Sequence, residues 1–284
     1  MTKDLALPTS RTSTLASTTL AAGLAGLLAA AVLPQAATAG STGVVVRTMS
    51  DPRIVESSGL ARSNFNTTRL WTHNDSGGGN IIYAIGRTGR TTATYRLANA
   101  RSWDWEAMAS ARRNGVNYLF VGDIGDNRTW KDTIFVHRVR EPKPSAPNGT
   151  LHPKSYEFRY PDGSHDAETL MVRPGSTRIY IVSKVRSASG HVYVAPKHPS
   201  VKRVNRLKRI ATVPSGITDG VFLDRKRFVL RGYGSAWLYR SIGARPKQFS
   251  LPHSGESITR TWRRGSVFIG HEGRNSDIWR VPLP

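Results

Sequence analysis

The sequence predicts an all-β propeller of five four-stranded blades around a hub, closed by the N-terminal strand. Three observations predict it. A short acidic phrase recurs five times, led by Glu56, Glu106, Glu168, Asp219 and Glu256. Each phrase opens a set of short apolar runs separated by Gly, Asn, Ser and Pro. After residue 40 no stretch carries sustained helical periodicity, apart from a possible turn near Met108. Strand-sized units with one acid at a fixed place imply like modules stacked radially.

The elements follow in order. Glu56, in Glu-Ser-Ser-Gly-Leu-Ala, precedes expected strands Gly59–Arg62, Leu70–Thr72, Ile81–Ile85 and Thr92–Leu97. Glu106, in Trp-Asp-Trp-Glu-Ala-Met-Ala, precedes Ala107–Ser110, Tyr118–Val121, Ile134–Val139 and Lys154–Tyr160. Glu168 precedes Thr169–Arg173, Arg178–Val182, His191–Val194 and Leu207–Val213. Asp219 precedes Val221–Leu223, Phe228–Leu230, Ala236–Tyr239 and Gln248–Leu251. Glu256 precedes Ile258–Trp262, Ser266–Ile269 and Asp277–Val281, and the chain then stops one strand short. Val44–Thr48 has no blade of its own and supplies the missing outer strand, which also removes an exposed sheet edge. Six blades of about 41 residues are the alternative to five of about 49, if the interval from Glu106 to Asp166 hides a degenerate blade. Its Pro-rich middle, Glu141 to Pro147, fits a loop better. A two-sheet sandwich would leave the recurring acids unexplained.

Residues 1–39 have the layout of a secretory signal: Lys3 and Arg11, an Ala/Leu-rich core to Leu33, and Ala37-Thr38-Ala39 as a small-residue cleavage site. An uncleaved anchor is the rival, but the core is rich in Ala, Ser and Thr. The expected mature protein is a secreted single propeller domain over residues 40–284, monomeric and without a membrane span. The chain has no cysteine, so disulfides and thiolate metal sites are excluded. Its net charge is +22, with clusters at Lys202-Arg203, Arg206 to Arg209, Arg225 to Arg227 and Arg263-Arg264. Such a surface attracts polyanions. No cluster interleaves aromatics as a single-strand platform does or forms a groove-reading helix.

In a blade the first strand lines the hub and the second returns beside it, so the start of one and the end of the other share a rim. The second strands end in His73-Asn74-Asp75, Gly122-Asp123-Ile-Gly-Asp126-Asn127, Ser183-Lys184, Arg231-Gly-Tyr233 and His271-Glu272. Eleven of the chain's 19 acids therefore fall at the expected hub. Unpaired carboxylates brought together cost several kcal/mol each, so a compensating cation or dense hydrogen bonding is required. Three compensations stay open: Ca²⁺ held by Glu56, Glu106, Glu168, Asp219 and Glu256; the cations Lys184 and Arg231; or capping of each acid by backbone N–H of the next blade. Oxygen donors without cysteine suit Ca²⁺ or Mg²⁺ rather than Zn²⁺. Asp123, Asp126 and Asn127 form a second candidate metal loop, although they lack the spacing and terminal Glu of an EF-hand. Trp71, Trp103, Trp105, Trp237 and Trp279 are expected to pack between blades.

Glu-Ser-Ser-Gly-Leu-Ala with Leu-Trp-Thr-His-Asn-Asp-Ser-Gly, Asp-Trp-Glu-Ala-Met-Ala and Val-Gly-Asp-Ile-Gly-Asp-Asn resembles exported actinobacterial propeller proteins of unassigned function, over Glu56 to about Ser183. More distantly, one acid per blade at the axis resembles the calcium-centred propeller hydrolases. That second likeness lies at the level of fold and transfers no catalytic residue. Two functions follow as expectations. One is a non-catalytic binding or scaffold propeller that takes Ca²⁺ and a small-molecule or cell-wall ligand at the acidic rim. The other is a Ca²⁺-dependent hydrolase of a phosphoester or lactone, with His73, Asp75, Lys184 and Arg231 as candidate catalytic or anion-binding residues.

Overall fold

The computed structural model describes residues 42–65 and 67–284; the candidate signal segment lies outside the described residues. After β1 (Val44–Thr48), blade one comprises β2 (Ser57–Arg62), β3 (Leu70–Asn74), β4 (Ile81–Ile85) and β5 (Thr91–Leu97). Blade two comprises β6 (Trp105–Arg113), β7 (Val116–Asp123), β8 (Ile134–Arg140) and β10 (Lys154–Arg159), with the short β9 (Gly149–Leu151) between the last two. Blade three comprises β11 (Ala167–Val172), β12 (Ile179–Ser183), β13 (Gly190–Val194) and β15 (Lys208–Val213), with β14 (Asn205–Arg206) before the last. Blade four is β16 (Asp219–Phe222), β17 (Phe228–Arg231), β18 (Ser235–Tyr239) and β19 (Lys247–Ser250). Blade five is β20 (Ile258–Arg260), β21 (Ser266–Ile269) and β22 (Asp277–Pro282), completed by β1.

The ring closes as the sequence implies. β1 runs antiparallel to β22, with Val44 opposite Arg280 and Thr48 opposite Asp277. The innermost strands touch in one cycle, β2 to β6 to β11 to β16 to β20 and back to β2. This makes five blades, so the six-blade alternative and the sandwich are both excluded.

Each blade is a sheet covered on both faces by its neighbours, which is why strands such as β3 (Leu-Trp-Thr-His-Asn) and β12 (Ile-Tyr-Ile-Val-Ser) are buried at every residue. The core is correspondingly divided into five apolar clusters, one for each blade interface. Trp71 of blade one meets Trp105 and Met108 of blade two, for example, and Tyr180 of blade three packs edge-on against Phe222 of blade four. Burying a side chain of this size stabilises by roughly 2–3 kcal/mol. Gly59 leaves no room for a side chain between its own blade and blade two. A Cβ there would lie 2.3 Å from His73 Nε2 and 2.7 Å from the Met108 backbone nitrogen.

Two elements escape sequence reasoning. β9 leaves the Pro-rich loop of blade two to pair in parallel with β5, the outer strand of blade one. β14 does the same between blade three and β10 of blade two. Both cover an otherwise open strand edge, and both are too short to show alternation. β6 is longer than expected, and Met108 lies within it rather than in a helical turn. Midway along the hub, residues such as Leu170, Met171, Val221 and Thr259 leave a void of only about 10 Å³. Deleting Val44–Thr48 should expose the β22 edge. We expect loss of about 3 kcal/mol of stability and concentration-dependent association, read by thermal denaturation and size-exclusion chromatography.

Candidate metal centre

The acids reach the rim through a local irregularity of the inner strands. β2, β6 and β11 each carry a register shift against the following strand, spanning Ser57/Gly59, Trp105/Ala107 and Ala167/Thr169. A bulge of this kind re-aims one side chain. The bulged residues are Ser58, Glu106 and Glu168. The residue two places earlier is also equivalent in these blades. The carbonyls of Glu56, Asp104 and Asp166 accept backbone N–H groups from Asp75, Ile124 and Lys184 respectively. The single expected ring of acids is thus two tiers: Glu56, Asp104 and Asp166 above, Glu106 and Glu168 below. Blade one has Ser58 in the lower tier, where its hydroxyl donates to the Glu106 carbonyl at 2.8 Å.

Three carboxylates meet most closely. Single oxygens of Asp75, Asp104 and Glu106 all lie within 4.8 Å of one another. At that separation two carboxylates repel by roughly 3 kcal/mol in a medium of effective dielectric near 20. Gly125 forms the floor beside them: a Cβ there would lie 2.4 Å from Glu106 Oε1 and 2.6 Å from Asp104 Oδ2. Lys131 is the local counter-charge, with Nζ 3.4 Å from Asp104 Oδ2 and a further hydrogen bond to the Gly125 carbonyl.

The wider rim feels the same field. Burial first, then the charges of Asp104, Glu256 and Glu56, hold Asp75 up at about 6. Burial, then Asp75, Glu168, Asp104 and Asp166, push Glu106 well above the carboxylate range. Glu272 rises to about 7 through burial and the proximity of Glu256, Asp75 and Glu56. Glu168 rises to about 8 through burial, despite its ion pair with Lys184. Lys184 keeps its charge because Glu168 more than offsets its own desolvation, and it lies 5.5 Å above the Tyr233 ring. The Glu168 Oε2 atom is buried without a hydrogen-bond partner.

Other expected site residues have different positions. His73 is fully buried, sits edge-on to Trp105, and is lowered to about 4 by desolvation. It is a neutral core histidine, not a base facing the rim. Arg231 is also fully buried. Its guanidinium donates to the carbonyls of Ser257 at 2.6 Å, Gly270 at 2.7 Å and His253 at 3.2 Å, clamping blade four to blade five. It is therefore not an anion-binding cation of the depression. Asp219 is a blade staple: Oδ2 accepts the Ile258 N–H of blade five at 2.8 Å and Oδ1 its neighbour Gly220 N–H at 2.7 Å. Glu256 accepts from the Tyr233 hydroxyl at 3.1 Å, while Glu56 is exposed. Of the five acids expected to share one ion, only Glu106 lies in the close cluster, whereas Asp219 is capped by backbone N–H groups.

The second candidate loop does positional work. Asp123 Oδ1 accepts the backbone N–H of Trp103 and Asp104 at 3.2 and 2.8 Å. Asp126 accepts those of Trp130 and Lys131 at 3.1 and 2.8 Å, and Asn127 is exposed. The two aspartates thereby fix Asp104, Lys131 and two tryptophans. Trp103, expected to pack between blades, is 63% exposed, and Trp130 is 68% exposed. Together with Asp104 and Lys131 they line a cavity of about 350 Å³ at the edge of the acidic cluster. Arg101 lies 3.2 Å over the Trp103 ring. Sequence reasoning missed this pair and Lys131. The available signal was that all three sit within the Asp-rich segments of blade two.

No family model matches the chain, and no curated protein does. Among solved structures, a gluconolactonase from Xanthomonas campestris, described as important in glucose secondary metabolic pathways, aligns with a TM-score of 0.46 at 15% identity. The alignment covers 84% of this chain and 89% of that chain. At that similarity it bears on neither the site nor its chemistry.

The raised rim acids set the pH response of the metal-free protein. An acid whose folded value exceeds its unfolded value near 4 binds more protons when folded, so stability falls as pH rises. The contribution is full below about pH 4 and is lost as pH passes through about 6, 7 and 8 for Asp75, Glu272 and Glu168. In chelator, the thermal midpoint should therefore decline steadily from pH 5 to pH 8.

Proposed function

We propose that this chain is an exported, cation-centred binding propeller. Ca²⁺ would be held by Asp75, Asp104 and Glu106. A saccharide-bearing ligand, such as a cell-wall glycan, would pack against Trp103 and Trp130. The observation that carries the reading is the approach of three carboxylate oxygens to within 4.8 Å of one another, with Lys131 as the adjoining cation. The donor set fits the ion: all ligands are hard oxygens, and the floor at Gly125 leaves the space a side chain would fill. The C–H face of a pyranose ring is apolar and lies flat on an indole, while its hydroxyls can bond to Asp104 and Lys131. Exposed aromatics beside convergent polar groups suit that role.

The cation and ligand steps have separate readouts. Millimolar Ca²⁺ should raise the thermal midpoint of chelated protein and abolish its decline between pH 5 and pH 8. Asp75→Asn and Glu106→Gln should remove that Ca²⁺ response. Trp103→Ala with Trp130→Ala should keep the response and weaken glycan retention at least tenfold, as read by affinity electrophoresis on peptidoglycan fragments. A Ca²⁺ response unchanged in both acid variants would refute the site.

The second reading is Ca²⁺-dependent hydrolysis of a phosphoester or lactone, favoured by Asp75 sitting near 6, where a general base works at neutral pH. A bound Ca²⁺ would supply polarisation of a phosphoryl or carbonyl oxygen. The burial of His73 and Arg231 and the engagement of Lys184 by Glu168 favour binding instead. Turnover of aryl phosphates, nucleotides or lactones that needs Ca²⁺ and disappears in Asp75→Asn would reverse the preference.

Export rests on residues 1–39. Expressed with its own leader in a secreting host, the protein should appear in the medium beginning at Gly40, as measured by intact mass. A cell-retained chain of full length would contradict export.

A further inference from the structure

The two ends of the hub have opposite charge. The acids stand where the inner strands begin, and the arginines stand where they end: Arg62 is the last residue of β2 and Arg260 the last of β20. Around that second end, residues of blades four and five, with Arg62 of blade one and Pro174 and Gly175 of blade three, line a cavity of about 440 Å³. Six arginines line it: Arg62, Arg225, Arg227, Arg260, Arg263 and Arg264. Its one side-chain carboxylate, Asp224, is engaged by Arg227, with Nε 2.7 Å from Oδ2. Among the described residues, none of the other five has a carboxylate within ion-pair distance.

The inner pair is the more telling. Arg62 and Arg260 are both largely withdrawn from water, and each has only a long bond of 3.4 Å from Nη1 to a backbone carbonyl, Thr261 and Leu223 respectively. Arg62 Nε is buried with no partner. Burial first, then the charge of Arg260, brings Arg62 down to about 10, so both remain cationic at neutral pH. Desolvated, unpaired guanidiniums are costly, and the geometry that compensates them is a planar bidentate oxyanion. The excess of charge calls for a multiply charged partner, because a single carboxylate would neutralise little of it. The lining also includes the apolar side chains of Leu223, Leu238 and Trp262.

We propose that this cavity is an anion site for a small organic diphosphate: the phosphates lie between Arg62, Arg260, Arg263 and Arg264, and the uncharged body lies against Trp262 and Leu238. A guanidinium fork matches phosphate oxygens better than an ammonium would. The cavity volume admits a small molecule or a chain end and not a duplex. The site lies at the opposite end of the inner strands from the acidic cluster and shares no lining residue with it.

The test is calorimetric titration with inorganic pyrophosphate and with a nucleoside diphosphate, alongside sulfate. Saturable binding of both phosphates is expected, at least tenfold tighter than sulfate, with quenching or enhancement of tryptophan fluorescence for the nucleoside form. Arg62→Gln with Arg260→Gln should abolish binding. Arg263→Glu with Arg264→Glu, on the exposed side of the cavity, should weaken it at least tenfold while leaving the fold intact by circular dichroism. Pyrophosphate bound without the nucleoside form would overturn the role of the apolar side chains. Absence of saturable pyrophosphate binding, or equal affinity in the Arg263/Arg264 variant, would overturn the site.

Discussion

Carboxylates brought to a common hub repel one another, and everything distinctive about this propeller follows from how that repulsion is met. Stacking five sheets radially forces the starts of five inner strands together, and most blades place an acid there. The protein resolves some of the strain locally. Asp219 accepts two backbone N–H groups, Glu168 takes Lys184, and Asp104 takes Lys131. Even so, burial and mutual repulsion hold the protons of Asp75, Glu106, Glu272 and Glu168 to unusually high pH. The crowding of these acids is what the proposed ion would relieve.

The blade interfaces make this arrangement affordable. Five apolar clusters, each shared by two blades, supply the burial that keeps a ring of like charges together. Arg231 shows the same logic inside the wall. A fully buried guanidinium is tolerated because three carbonyls of blade five and its entry loop surround it, which ties the last two blades together. The bulges at Glu106 and Glu168 then spend a little ladder regularity to aim side chains at the axis. Charge is also sorted along the hub, acids where the inner strands begin and arginines where they end.

The radial plan was legible because it repeats: five acidic phrases, four runs after each, and an orphan strand at the start that the last blade lacks. Finer placement was not legible, because it depends on register. Glu56-Ser-Ser-Gly and Asp104-Trp-Glu-Ala look like one motif, yet the bulge aligns Glu56 with Asp104 and Ser58 with Glu106. His73 and Arg231 end their strands, which suggested rim positions, but burial of the side chain is decided by what lies opposite. His73 faces Gly59, whose missing Cβ makes room for the ring. Trp103 and Trp130 carry no local sign of exposure; their backbone N–H groups are held by Asp123 and Asp126, acids whose close spacing had made them a candidate metal loop.

The central claim is that the acidic hub holds a divalent ion. Metal analysis of the protein purified without chelator or added cation tests it most directly. The account predicts about one calcium per chain, retained through gel filtration and lost when Asp75 and Glu106 become amides. A chain that stays metal-free after equilibration with millimolar Ca²⁺, while correctly folded, would contradict it.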